Sequence, residues 1–112
     1  MAVVFTAARQ IDRIVTDAAA GNVTKVTFHA NTRTVTIEGY DAAGTTATAC
    51  KVAYAGTDGA AIGADFYTID AGAKLEIPVA GHARERDGAV LYIASTVNSG
   101  IVEVEASPIQ SL

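Results

Sequence analysis

Apolar and polar residues alternate along four short segments in the last third of the chain, and glycine-containing turns punctuate this region. The segments are residues 67–70, 74–79, 89–96 and 101–105. Successive side chains of a β-strand point to opposite faces, so alternation lets each strand bury one face. Strands of this kind need a sheet or sandwich that covers their apolar faces. The pattern therefore predicts β-structure in this part of the chain.

The middle of the chain carries the same pattern. Residues 23–28 and 33–40 predict a β-hairpin around a turn at residues 29–32, and residues 46–55 predict a further strand. Pro78 should lie at a sheet edge, since proline cannot donate a hydrogen bond to a central ladder. We expect the side chains on one face of each hairpin strand to line the core: Thr24, Val26, Phe28, Val35 and Ile37. On the next strand Cys50, Val52 and Tyr54 point the same way, and Cys50 is expected to be buried. With about seven strands, the fold class is a mainly β, single-domain antiparallel β-sandwich.

Residues 1–21 allow two interpretations. Ile11, Ile14 and Val15 follow helical spacing, and Gly21 stands where a helix C-cap belongs, which predicts a short helix over residues 7–20. The alternative is an irregular arm, because residues 1–6 are strand-like and the β-branched run at residues 14–16 lowers helix propensity.

The length and net charge of the chain limit the classes of protein to which it could belong. The 112 residues suit one domain, residues 1–112. The net charge of −4 argues against nucleic-acid binding, which needs clustered lysine and arginine. The chain has no apolar run long enough for a membrane span and begins without a secretory signal pattern. Many small apolar residues accompany few large ones, which favours exposed apolar surface and a homo-oligomer or larger assembly.

Residues that carry chemistry are few and dispersed. The only cysteine, Cys50, cannot form an intrachain disulfide, and His29 and His82 fall in predicted turns. Glu103 and Glu105 alternate with valines, as on the solvated face of a strand. The spacing of the loop aspartates matches no EF-hand, and no phosphate-binding glycine loop is present. We therefore expect no catalytic residues, no metal site and no cofactor, and a protein that is not an enzyme.

Three segments of the C-terminal half resemble a known class of protein. They are Asp70-Ala71-Gly72-Ala73-Lys74-Leu75-Glu76-Ile77-Pro78-Val79, Leu91-Tyr92-Ile93-Ala94-Ser95 and Ile101-Val102-Glu103-Val104-Glu105. In their succession they resemble the small β-sandwich structural proteins of tailed bacteriophages, particularly capsid decoration or cement proteins. The resemblance implies a virion protein, assembled in the host cytoplasm, that binds the outer capsid lattice. Its implied partners are the major capsid protein, which it bridges, and copies of itself.

The contacts in such an assembly are expected on the N-terminal arm at residues 2–6 and on the loops at residues 56–64 and 81–88. The predicted interface residues are Val3, Val4, Phe5, Asp58, Ile62, Arg84, Glu85 and Arg86. Two alternatives stay open. One is a phage tail or head-to-tail connector subunit that assembles as a ring. The other is a small carbohydrate-binding module, which needs a planar aromatic platform.

Overall fold

The computed structural model describes residues 2–79, 84–85 and 88–108. These residues form ten strands and contain no helix. The strands are β1 (Val3–Val4), β2 (Gln10–Val15), β3 (Thr24–Thr27), β4 (Thr32–Tyr40), β5 (Cys50–Ala53), β6 (Tyr67–Ile69), β7 (Leu75–Pro78), β8 (Arg84–Glu85), β9 (Gly88–Ser95) and β10 (Ile101–Pro108).

Two sheets pack face to face, which confirms the predicted β-sandwich. The first has the strand order β1-β3-β9-β5-β6, with the short β8 paired to the start of β9. The second has the order β2-β10-β4-β7. All pairs of strands are antiparallel except β1 and β3, which run parallel.

The main core lies between the sheets and follows the alternation of the sequence. On β10, Val102, Val104 and Ala106 are buried, whereas Glu105 between them is exposed. The facing sheet contributes side chains such as Leu91 and Ile93 from β9. The predicted core positions Val26, Phe28, Val35, Ile37 and Cys50 all lie in this cluster, as does Val52. Thr24 is also buried, as predicted.

Strand β9 is buried on both faces, which explains its continuous apolar run. Its alternate residues Val90, Tyr92 and Ala94 form a second cluster with Val23 and Ala53 on the other side of the first sheet. The loop at residues 54–66 lies over this cluster, and its Ile62 packs against it. Backbone hydrogen bonds join the loop to residues 21–23, among them Gly59 N–H to Val23 O at 2.8 Å. The predicted long loop is therefore a cover for a secondary core.

The predicted helix over residues 7–20 is wrong, and so is the irregular arm. Residues Gln10–Val15 form β2 and pair along their length with β10. Ile14 points into the core, while Ile11 and Val15 face outward. Strand alternation therefore prevails over the helical spacing, consistent with the β-branched residues and with the pairing that β10 offers.

The predicted hairpin over residues 23–40 is also wrong. Strands β3 and β4 flank the expected turn, which is closed by a hydrogen bond from Thr32 N–H to His29 O of 2.9 Å. However, β3 pairs with β9 and β4 pairs with β10, so the chain crosses from one sheet to the other. Both strands still bury the predicted faces, because the core between two sheets receives them equally well.

Smaller differences concern strand ends. The described residues hold ten strands rather than about seven, because the N-terminal segment and the short β8 add to the predicted set. Strand β5 spans only Cys50–Ala53 of the strand predicted over residues 46–55, so Tyr54 lies beyond its end and is exposed. Pro78 lies on β7, an edge strand, as predicted. Gly72 closes the turn before β7 with a φ of 83°, a conformation that glycine adopts without strain.

Candidate binding surfaces

The predicted N-terminal contact residues have three different environments. Val4 is exposed, with 64% of its surface accessible, whereas Val3 is partly buried and packs against the core. Phe5 is wrong as an interface residue: it is 2% exposed, and its ring meets that of Phe28 edge-on, with centroids 5.0 Å apart. Its N–H also donates to Thr27 O. Phe5 therefore anchors β1 to the core.

The predicted loop contact residues that the structure describes make contacts within their own chain. The Asp58 carboxylate accepts a hydrogen bond of 2.9 Å from Lys25 N–H, and this bond lowers the pKa of Asp58. Ile62 is half-buried and packs against the secondary core. Arg84 and Glu85 are the two residues of strand β8, which pairs with the start of β9. Arg86 lies outside the described residues, as does His82.

Three large apolar side chains are exposed on the edge strands β1 and β2, with Arg13 between two of them on β2. We call this surface the N-terminal edge and define it by Val4, Ile11 and Val15, which are 64%, 64% and 58% exposed. Strands β1 and β2 are edge strands of different sheets, and only residues 5–9 separate them in the chain. Asp12 on β2 is a charged residue on an edge strand, a feature that discourages pairing with another sheet.

A second exposed surface lies at the opposite edge, around β6. Tyr54, Phe66 and Tyr67 are 40%, 36% and 52% exposed. The rings of Tyr54 and Tyr67 are perpendicular, with centroids 6.0 Å apart. Together with Val52, Ala53, Ala64 and Asp65 they line an open cavity of about 330 Å³. We call this cavity and its neighbours the tyrosine groove.

The groove continues on both sides of Tyr54. One extension, of about 180 Å³, lies between Tyr67 and the edge strand β7 and is lined by residues 75–78. The other, of about 250 Å³, is lined by residues 63–65 with Tyr54 and Ala55. Tyr54 therefore stands at the junction of three concavities, beside the seam where the two sheets end.

The polar groups of the groove are phenols and carboxylates. Partial burial, followed by the interaction with Tyr67, raises the pKa of Tyr54, so its hydroxyl stays protonated at neutral pH and can donate a hydrogen bond. Lys51 places its Nζ 4.6 Å from the centre of the Phe66 ring, a cation–π contact. The surface thus already holds one cation on an aromatic face.

This groove was not predicted from the sequence, because Tyr54 and Tyr67 are thirteen positions apart. The pairing of β5 with β6, which sets Val52 opposite Tyr67, brings them together. Two consecutive aromatic residues, Phe66 and Tyr67, at the start of a short strand were the available signal.

The outer face of the second sheet carries an acidic group of side chains. Glu103 lies directly opposite Glu38 in the pairing of β10 with β4. Arg13 approaches Glu103 at 3.6 Å and Lys74 approaches Glu38 at 4.0 Å, which offsets this like-charge pair. The Tyr40 hydroxyl donates to Glu38 at 2.9 Å, and that bond raises the pKa of Tyr40. Glu103 and Glu105 do lie on an outward face, as predicted.

The remaining chemical candidates are engaged in the fold. Cys50 is fully buried, and burial raises the pKa of its thiol to about 12, so the thiol is protonated at neutral pH. His29 accepts a hydrogen bond from Asn31 N–H at its Nδ1. Among the residues that the structure describes, no three His, Cys, Asp or Glu side chains are grouped to hold a metal ion. The same residues include no helix able to cross a membrane.

Comparison of the chain with protein families, with curated proteins and with solved structures finds no match.

Proposed function

We propose that this chain is a non-enzymatic structural protein of a virion, which binds the outer capsid lattice and bridges neighbouring major capsid proteins. The resemblance of the C-terminal half to phage decoration proteins suggests this role. The observation that carries the proposal is that large apolar side chains are exposed at opposite edges of one sandwich, on the N-terminal edge and in the tyrosine groove.

Two separated surfaces suit a protein that joins two partners. Neighbouring strands of a sheet lie about 4.8 Å apart, so the four intervals from β1 to β6 separate the two edges by about 19 Å. The body between them is stiff, because β9 at its centre is packed on both faces. Contacts at both edges would reinforce each other when the partners are fixed in a lattice.

The test is to locate the protein in particles purified from a culture that produces it. Antibodies against the purified chain would be applied for immunogold electron microscopy. We expect label at regular positions over the shell. Label confined to a tail or to one vertex would replace this proposal with the tail or connector alternative, which assembles as a ring. Particles free of the protein, by labelling and by mass spectrometry, would overturn both.

Carbohydrate binding is the second candidate, and the tyrosine groove is the observation that favours it. Exposed aromatic rings beside carboxylates can stack on sugar rings and accept their hydroxyl hydrogen bonds. The rings of Tyr54 and Tyr67 are perpendicular, whereas a planar platform needs them side by side. A glycan array with the purified chain tests this function, and binding abolished by Tyr67→Ala would establish it.

A further inference from the structure

The charged side chains that line the tyrosine groove are carboxylates, and one cation, Lys51, lies beside the groove over the Phe66 ring. Asp65 lines the main cavity and one extension, and Glu76 lines the extension beside β7. No lysine, arginine or histidine is among the described residues that line the three concavities. The whole chain carries a net charge of −4, so its field also favours cationic ligands at a distance.

The aromatic faces of the groove suit a cation as well. The electron-rich face of a phenol or phenyl ring attracts ammonium and guanidinium groups. Lys51 shows this attraction within the protein, since its Nζ lies over the Phe66 ring. Tyr54 and Tyr67 present further aromatic surface next to the Asp65 carboxylate, which is exposed.

We propose that the tyrosine groove is the docking site for an arginine-bearing segment of a partner protein. A guanidinium group is planar and weakly hydrated, so it can stack on a tyrosine while pairing with a carboxylate. The main cavity, at about 330 Å³, lies at the small end of ligand pockets and suits a side chain with its flanking backbone. This inference rests on the proposed function for the premise that a partner protein binds the groove. The new part is the chemistry of the partner segment, which carries an arginine.

The experiment uses the full chain and two short peptides, acetyl-Gly-Arg-Gly-amide and the same peptide with neutral citrulline in place of arginine. Binding is followed by ¹H–¹⁵N NMR and by tyrosine fluorescence, which is informative because the chain has four tyrosines and no tryptophan. We expect the arginine peptide to shift the amide signals of residues 54 and 65–67, with a Kd of about 1 mM. The citrulline peptide should bind about threefold to fivefold more weakly.

Variants assign the binding to the groove. Tyr67→Ala and the conservative Asp65→Asn should each weaken the arginine peptide by about threefold or more. Thr68→Ala, an exposed change on the same strand, is the matched control and should leave binding unchanged. The NMR spectrum of each variant reports in the same experiment whether it is folded.

Three results would overturn the inference. One is equal binding of the citrulline peptide, because the charge would then contribute nothing. Another is a response centred on Glu38 and Glu103, because the arginine would then bind the outer face of the second sheet. The last is no response of the groove to either peptide, whether or not it responds to maltose or cellobiose. Each of these leaves the particle-labelling test unaffected, so failure of this inference and failure of the virion role are distinguishable.

Discussion

At the scale of single residues, Gly39 lies where another backbone segment approaches closely. The segment before β5 crosses β4 at this glycine, and Thr48 N–H donates to Gly39 O at 3.0 Å. A Cβ at position 39 would collide with the Thr48 carbonyl oxygen and would lie 3.1 Å from Cys50 Sγ. The absence of a side chain at Gly39 therefore lets the chain enter the first sheet at the right place.

Gly39→Ala should lower the free energy of unfolding by about 1–3 kcal/mol, because a backbone segment and a buried sulfur must both move to admit one methyl group. Urea unfolding followed by circular dichroism measures the change. Gly63→Ala is the matched control, since a Cβ there meets nothing within 4 Å, and its effect should stay within about 0.5 kcal/mol. Equal stability of the two variants would contradict the close approach.

Burial of individual side chains was largely predictable from alternation. Val35 and Ile37 on β4 were placed correctly because a sandwich buries one face of a strand whichever partner it has. Tyr54 was predicted to lie on a strand and lies beyond its end, because alternation gives no signal for where a strand stops. Phe5 was assigned to a contact surface as part of a predicted N-terminal arm, and only the pairing of β1 with β3 reveals that its ring reaches the core.

At the scale of elements, β1 depends on one side chain. It has only two residues, Val3 and Val4, and its attachment is completed by the burial of Phe5 against Phe28. Phe5→Ala should lower the free energy of unfolding by about 3–5 kcal/mol, through lost burial and the cavity that remains. Thermal and urea unfolding measure this loss.

Val4→Ala is the control for β1, because this side chain is mostly exposed and its truncation should change stability by no more than about 0.5 kcal/mol. A similar small effect for Phe5→Ala would show that β1 is detachable. In that case the N-terminal residues would be free to act as an arm, as the sequence first indicated.

The loop at residues 54–66 is held partly by the carboxylate of Asp58. The hydrogen bond from Lys25 N–H lowers the pKa of Asp58, so ionised Asp58 stabilises the folded state. A group with a lowered folded pKa contributes its stability above its unfolded pKa of about 3.8, and the contribution is lost as the pH falls through the folded value.

Asp58→Ala should therefore destabilise the protein at pH 7, by no more than about 1 kcal/mol because the site is exposed. The difference from the wild type should shrink as the pH falls below about 3.8. Urea midpoints measured across this pH range give the test. Asp65→Ala removes a carboxylate from the same loop and serves as the control for loss of charge. A difference that persists unchanged at low pH would contradict the role of the ionised carboxylate.

Element types were predictable where the strand pattern was long, and pairing was not. Residues 10–15 satisfy helical and strand spacing alike, and the complete pairing of β2 with β10 decides between them. The segments β3 and β4 look like a hairpin because a short turn joins them, but a chain can also use such a turn to change sheets. The continuous apolar run of β9 was the one local sign that a loop covers its second face.

At the scale of the whole molecule, the sandwich separates two surfaces that differ in chemistry. The N-terminal edge is aliphatic, whereas the tyrosine groove combines aromatic rings with carboxylates. The sequence predicted a protein that binds neighbouring subunits. Val4, one of the predicted contact residues, is exposed. The sequence did not predict the groove, because the residues of the groove come from both sides of a long loop and meet only through sheet pairing. A rigid body with two unlike surfaces is suited to contact two different neighbours.

If the protein bridges two partners, each surface should be needed for stabilisation of the shell but not for attachment. The variants are Ile11→Lys with Val15→Lys for the N-terminal edge, and Tyr54→Ser with Tyr67→Ser for the groove. All four side chains are exposed, so the fold should be retained. Ala42→Lys, an exposed change in the turn after β4, is the matched control.

Purified variants would be added to particles that lack the protein, and both the bound amount and the temperature of genome release would be measured. Each single-surface variant should still attach, with an affinity lower by about 100-fold, because one contact remains while avidity is lost. Neither should raise the release temperature, and an equal mixture of the two should not restore it, because the bridge requires both surfaces on one molecule. Full stabilisation by either variant alone would contradict bridging and would leave a protein that acts through a single contact.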